Sequence, residues 1–203
     1  SPNNDLSLQS TGDLDGDGRT DFIIGNIKNS PKELNIYLGK DFPSWSFEGS
    51  LNFLSTDINI TNQEDNLPSQ LSLSGDVNGD GYDDLLVGAD VNLSGVNDSG
   101  SAMLVFGRED FFSSTPNVDL GTSSFVDVTF KGISSGDGTG YNVAIIPDIN
   151  GDGYDEVLIS AYNYNTSDGF KVFLIYGRSD FSSVLTAGDF DLADSDAIFF
   201  SKD

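Results

Sequence analysis

The feature that most constrains this chain is a nine-residue loop that occurs three times. It reads Asp13-Leu-Asp-Gly-Asp-Gly-Arg-Thr-Asp21, then Asp76-Val-Asn-Gly-Asp-Gly-Tyr-Asp-Asp84, then Asp148-Ile-Asn-Gly-Asp-Gly-Tyr-Asp-Glu156. Each copy puts an oxygen-bearing side chain at positions 1, 3, 5 and 9 and a glycine at position 6. Each runs straight into an aliphatic stretch: Phe22-Ile23-Ile24, Leu85-Leu86-Val87 or Val157-Leu158-Ile159. Oxygen ligands at alternate positions suit a hard cation such as calcium, which takes six to eight of them. The chain must curl for those side chains to face one point, and Gly18, Gly81 and Gly153 tolerate the positive φ this requires. The candidate ligands are Asp13, Asp15, Asp17 and Asp21; Asp76, Asn78, Asp80 and Asp84; and Asp148, Asn150, Asp152 and Glu156. The position-7 carbonyls of Arg19, Tyr82 and Tyr154 complete the sets, so about three Ca²⁺ ions are expected.

The nearest rival is the EF-hand, which shares the first six positions but needs a bidentate Glu at position 12 between two helices. Position 12 here is Ile24, Val87 and Ile159, with strand-like flanks, so the EF-hand is rejected. A single Asp/Asn/Gly cluster is ordinarily a solvated turn. Three copies in register, each before the same kind of strand, argue for metal.

The net charge of -24, from 33 acids against 9 bases, argues against nucleic-acid binding and against an anionic membrane surface. Three Ca²⁺ would bring it to about -18. There is no His and no Cys, which removes the commonest general base and thiol nucleophiles. Clustered acids could form a glycosidase pair, but most already have a calcium role, and no Gly-x-Ser-x-Gly elbow is present. The chain is therefore expected not to be an enzyme. Calcium sites of modest affinity are typical of extracellular modules, which favours a secreted or cell-surface location. No signal peptide and no apolar run of about 18 residues is visible. The chain starts with Ser1, so a processed product or an excised piece is expected.

The repeat is longer than the loop. The segments Leu6 to Leu8, Leu71 to Leu73 and Val143 to Ile146 precede the three loops. Downstream lie Ile36-Tyr37-Leu38-Gly39, Leu104-Val105-Phe106-Gly107 and Leu174-Ile175-Tyr176-Gly177, and then looser aromatic runs at Leu51-Asn52-Phe53, Val128-Thr129-Phe130 and Ile198-Phe199-Phe200. Each unit thus has four short apolar runs bounded by turn residues, with no helical periodicity. Four strands per unit, repeated, is the signature of a propeller blade. The fold expected is all-β, a β-propeller of which three four-stranded blades are present, at about 1–56, 57–132 and 133–203. A sandwich or solenoid is the plainer alternative. The loop would join the first and second strands, and the second strand would be buried on both faces.

The segment from Gly75 through the second loop to Gly88-Ala89, and its third copy ending at Ala161, resemble the FG-GAP repeat. That repeat builds the integrin α-subunit propeller and occurs in many bacterial surface proteins. Phe130-Lys131-Gly132 followed by Gly136-Asp137-Gly138-Thr139-Gly140 echoes the Phe-Gly segment of the family, and the stretches Phe111 to Leu120 and Phe181 to Leu192 look like its bacterial members. The Gly-Ala-Pro of the family becomes Gly88-Ala89-Asp90, Ser160-Ala161-Tyr162 and Gly25-Asn26-Ile27. Glu156 replaces the usual Asp, and its extra methylene is expected to displace the carboxylate. With four acids against three, the first site is expected to bind most tightly. Closed propellers need about four to eight blades, so further blades are expected from the same longer chain or from other chains.

The resemblance implies a calcium-binding extracellular module for protein binding, adhesion or surface assembly, with structural calcium. Its ligand, protein or glycan, would dock on the variable loops Val91 to Ser101 or Tyr162 to Gly169. A carbohydrate-binding propeller, using Trp45, Tyr162 or Tyr164, and the propeller of a larger hydrolase or lyase are the alternatives. The acidic run Asp189, Asp191, Asp194 and Asp196 lacks the loop spacing and reads as a solvated turn. Sequons such as Asn59-Ile60-Thr61 and Asn165-Thr166-Ser167 matter only where asparagine is glycosylated.

Overall fold

The computed structural model describes residues 6–26, 33–39, 58–61, 70–89, 99–109, 117–119, 125–162, 169–185 and 189–201. The segment 51–53, Trp45, Tyr164 and most of the two variable loops lie outside them. The described strands are β1 (Leu6–Gly12), β2 (Asp21–Asn26), β3 (Glu33–Tyr37), β4 (Ile58–Thr61), β5 (Gln70–Leu73), β6 (Leu85–Ala89), β7 (Ser101–Val105), β8 (Asn117–Asp119), β9 (Val128–Lys131), β10 (Val143–Ile146), β11 (Glu156–Tyr162), β12 (Phe170–Ile175), β13 (Asp189–Asp191) and β14 (Ala197–Phe200). Two 3-10 turns are described over their whole length, Phe181–Val184 and Leu192–Asp194.

The strands form three sheets, ordered β1-β2-β3-β4-β8, β5-β6-β7-β9-β13 and β10-β11-β12-β14. In each, four consecutive antiparallel strands make a meander, and the Asp-rich loop joins the first to the second. These are three blades of a partial β-propeller. Ile58–Thr61 hydrogen-bonds to β3, so the first blade runs past residue 56 and takes its fourth strand from beyond the aromatic run at 51–53.

The fifth strands come from elsewhere in the sequence. β8 lies between the third and fourth strands of the second blade, yet pairs in parallel with β4 of the first. β13 lies between the third and fourth strands of the third blade and pairs in parallel with β9 of the second. The second and third repeats thus each lend one short strand to the edge of the blade before them, which covers otherwise unpaired backbone groups.

Two apolar clusters lie between the blades. Leu14, Ile23, Ile36, Leu73, Leu85, Val87 and Met103 share the first, between blades one and two. Leu86, Leu104, Phe130, Val157, Ile159, Phe173 and Phe190 share the second, between blades two and three. Successive side chains of a strand point to opposite faces, so Leu85 and Val87 enter one cluster while Leu86 enters the other. That is why β6 is apolar and buried throughout, as the unbroken aliphatic run predicts.

The two interfaces are built from the same bonds. Asp83 N donates to Asp13 O at 2.9 Å and Asp155 N to Asp76 O at 3.1 Å; Arg108 N donates to Leu14 O at 3.1 Å and Arg178 N to Val77 O at 2.9 Å. Ser10 Oγ accepts from Leu73 N, and Ser72 Oγ accepts from Ile145 N. Gly107 and Gly177 sit where the backbones converge, and a Cβ there would come within 2.4 Å of Asp83 O or 2.3 Å of Asp155 O.

Because β6 serves two cores, truncation on either face is expected to cost about as much as any core cavity. Leu85→Ala and Leu86→Ala should each destabilise the chain by roughly 2–5 kcal/mol, measured by urea unfolding. A loss on one face only would contradict the two-sided burial.

Candidate metal centres

Each loop is wound by its own acids in the same order. Position 1 accepts from the position-6 glycine: Gly18 N to Asp13 Oδ2 at 2.8 Å, Gly81 N to Asp76 Oδ2 at 2.7 Å, Gly153 N to Asp148 Oδ2 at 2.9 Å. Position 3 accepts from the N–H of position 5, at Asp15, Asn78 and Asn150. Position 5 accepts from the N–H of position 7, so Arg19, Tyr82 and Tyr154 donate to Asp17, Asp80 and Asp152. These are side-chain turns of the Asx type. The coil they make requires φ of +82°, +94° and +92° at Gly18, Gly81 and Gly153, a region other L residues rarely adopt.

Position 9 is the buried member. Asp21, Asp84 and Glu156 are all fully buried, and each accepts from the N–H of position 2: Leu14, Val77 or Ile149. In the first two loops the other oxygen accepts from the glycine after the third strand, Gly39 N at 2.8 Å and Gly107 N at 2.9 Å. Glu156 departs from this pattern, since its Oε1 is buried with no hydrogen-bond partner. The longer side chain keeps the first bond and carries the second oxygen elsewhere, the displacement its extra methylene predicts.

Among the described residues, two groups of acids converge so that one carboxylate oxygen of each lies within 4.8 Å of the others: Asp13, Asp15 and Asp21 in the first loop, and Asp148, Asp152 and Glu156 in the third. Each group contains a buried oxygen with no hydrogen-bond partner, Asp13 Oδ1 and Glu156 Oε1. Such an orphan is costly unless a donor or cation meets it, so these residues fit a cation bound by oxygen alone. Asp17 stands outside the first group. In the second loop Asp76, Asp80 and Asp84 form no such group, although its internal bonds resemble those of the third: Asp76 accepts from Gly79, Asp80 and Gly81, and Asn78 Nδ2 donates to Asp80 Oδ2 as Asn150 Nδ2 does to Asp152 Oδ2.

The electrostatics follow from this crowding. Burial pushes Asp84 up to about 8, against the N–H bonds from Gly107 and Val77, with Asp80 and Asp76 adding repulsion. Burial likewise pushes Asp21 up to about 6. Burial raises Glu156 too, helped by the charges of Asp148, Asp152 and Asp155. Asp148 moves the other way, because the N–H groups of Gly153 and Gly151 stabilise its ionised form.

Position 8, left out of the expected ligand sets, has a separate task. Asp83 Oδ2 accepts from Asp13 N at 2.7 Å and Asp155 Oδ2 from Asp76 N at 3.0 Å, so each ties its own loop to the previous one. The rings of Tyr82 and Tyr154 lie over Gly16 and Gly79 of the previous loops. The signal was the Tyr-Asp pair at positions 7 and 8 of the second and third copies. Another recurrent pair links Asp127 to Phe106 N and Arg108, and Asp196 to Tyr176 N and Arg178. The late acidic run is accordingly structural: Asp189 pairs with Lys131, Asp191 caps a 3-10 turn and Asp196 holds Arg178.

A comparison with protein families matches residues 13–87 to the FG-GAP-like repeat and residues 139–174 to the FG-GAP repeat. No curated protein matches the chain. No helix among the described residues is long and apolar enough to cross a membrane.

Asp84, Asp21 and Glu156 hold protons more tightly in the folded chain than in the unfolded one, where carboxylates titrate near 4. Without metal the folded chain therefore carries more protons between about pH 4 and 8, and its stability falls as pH rises through that window. Asp148, with its lowered value, gives stability above about pH 4 that is lost on further acidification. Thermal unfolding in chelator should show a melting temperature that declines from about pH 5 to about pH 8, and Asp84→Asn should flatten the decline. A profile rising over that range would contradict the assignment.

Proposed function

The chain belongs to the FG-GAP repeat family, and from that premise we propose that it is a calcium-stabilised extracellular β-propeller module that binds other proteins, in adhesion or surface assembly. The observation that carries the calcium reading is the pair of buried, partnerless carboxylate oxygens, Asp13 Oδ1 and Glu156 Oε1, each inside a converging group of three acids. A divalent cation supplies the positive charge that lets such groups ionise together. Asp13, Asp15 and Asp21 would hold one ion and Asp148, Asp152 and Glu156 another. The second loop would hold a third through Asp76, Asn78, Asp80 and Asp84, once Asp84 gives up its proton. The position-7 carbonyls of Arg19, Tyr82 and Tyr154 would complete the three sets.

Calcium here is structural. It fixes the turn between the first and second strands, and that turn carries the bonds to the neighbouring blade. Binding falls to the variable loops, and the clustered acids serve calcium rather than catalysis in this reading. Millimolar calcium, as found outside cells, suits sites of this kind.

A carbohydrate-binding role is a second reading, favoured by one cluster. Tyr162 stacks on Phe170 at 4.3 Å between ring centroids, with Tyr141 at 6.1 Å from the same ring. Phe170 and Tyr141 are exposed, as a sugar-stacking platform requires. A glycan array separates this reading from protein binding.

Thermal unfolding in excess EGTA and then in millimolar calcium tests the calcium reading. Calcium at a hundred times its dissociation constant should add about 2.7 kcal/mol per independent site. Asp13→Ala and Asp148→Ala should each remove one ion from the calorimetric stoichiometry. Equal melting temperatures in EGTA and calcium would sink it.

A further inference from the structure

Asn78-Gly79 and Asn150-Gly151 are the two Asn-Gly pairs of the chain, and both occupy positions 3 and 4 of an Asp-rich loop. The first loop has Asp15-Gly16 at the same place. An asparagine followed by glycine is chemically labile. The peptide nitrogen of the glycine can attack the side-chain amide carbon and expel ammonia, because no Cβ crowds its approach. In a flexible chain the reaction is slow. The peptide nitrogen must give up its proton, and the amide carbon must be held close to it.

Both loops meet these two needs. Gly79 N donates to Asp76 Oδ1 at 2.6 Å, and Gly151 N donates to Asp148 Oδ1 at 2.6 Å. A carboxylate so placed accepts the proton as the nitrogen bonds to carbon. The amide is held as well: Asn78 Oδ1 accepts from Asp80 N at 3.0 Å, and Asn150 Oδ1 accepts from Asp152 N at 2.8 Å. This Asx turn folds the amide carbon back towards the next peptide nitrogen, and its N–H stabilises the negative charge that develops on the oxygen. The leaving nitrogens, Asn78 Nδ2 and Asn150 Nδ2, donate to Asp80 Oδ2 at 2.8 Å and Asp152 Oδ2 at 2.9 Å.

We propose that Asn78 and Asn150 are self-modifying sites, which the folded, metal-free loops convert to aspartate. Gly79 N bonds to Asn78 Cγ, and the bond from Cγ to Nδ2 breaks. The proton of Gly79 N goes to Asp76 and, through solvent, to the departing nitrogen, which leaves as ammonia. Water then opens the cyclic imide at Cγ: a C–O bond forms there, the bond from Cγ to Gly79 N breaks, and that nitrogen takes a proton from the water. Asp80 N–H polarises the same oxygen in both steps, so water adds at Cγ rather than at the main-chain carbonyl. The product is aspartate with its main chain intact, and not isoaspartate. Asn150 follows the same course with Gly151, Asp148 and Asp152. Position 3 then matches Asp15, whose Oδ1 accepts from Asp17 N in the same way. All three loops then carry four acids. On the calcium reading above, on which this consequence rests, the two converted sites bind the ion more tightly, and the ion, by taking the same carboxylates, ends the reaction.

Peptide mapping by mass spectrometry tests this on the full chain, held folded in EGTA at neutral pH and body temperature. Conversion at Asn78 and Asn150 is expected to run about tenfold faster or more than in the same chain unfolded in urea. Aspartate is the main product in the folded chain and isoaspartate in urea. Asp76→Asn returns Asn78 to its rate in urea and leaves Asn150 unchanged, and Asp148→Asn does the reverse. The untouched loop of each variant reports that the chain is still folded. Three results overturn the proposal: conversion no faster in the folded chain than in urea, isoaspartate as the main folded product, or a rate at Asn78 indifferent to Asp76→Asn. Every measurement is made without calcium, so its failure is distinct from failure of the calcium reading, which melting in EGTA and calcium decides.

Discussion

The structure depends on a short bond inside each loop, from the position-2 N–H to the buried position-9 carboxylate. It closes the loop into a ring, points position 2 towards the next blade and anchors the start of the second strand. Leu14 and Val77 then become core residues although they sit in the middle of an acidic turn. One carboxylate thus links local winding to packing between blades. Position 9 is acidic and buried in all three loops, and burial raises the cost of ionising it.

That cost explains why the loops differ in kind from a solvated turn. In the third loop burial pushes the position-9 acid, Glu156, up while backbone N–H groups pull the exposed position-1 acid, Asp148, down. Under the calcium reading, the ion relieves the repulsion that the backbone bonds only partly offset. Joint and loop then stiffen together, because Asp13 and Asp76 contribute both side chains to the winding and backbone groups to the joint.

Much of this was legible in the sequence, because loop and strand alternate with few exceptions. The nine-residue loop, the two-sided second strand and the four-strand count could be read from residue type and spacing alone. The consequence of Glu156 followed from one methylene. What could not be read depended on partners remote in the chain. The role of Asp83 and Asp155 is set by N–H groups of the preceding repeat, 70 and 79 residues away. The crossing strands β8 and β13 are three residues each, too short for periodicity to register. For the first outer strand, the aromatic run at 51–53 drew attention from Ile58–Thr61, where a plain alternation of Ile with Asn and Thr does the pairing.

The crossing strands also decide how such a chain responds to a pull. Traced back from its C-terminal end, the polypeptide runs through β14 of the third blade, then β13 at the edge of the second, and only then β12 of the third. Tension applied beyond β14 strips the outermost strand of the third blade, next uncaps the second, and only afterwards returns to the third. The blades therefore cannot come apart as separate beads: each yields a little before the one ahead of it has finished, so mechanical work is shared across a pair.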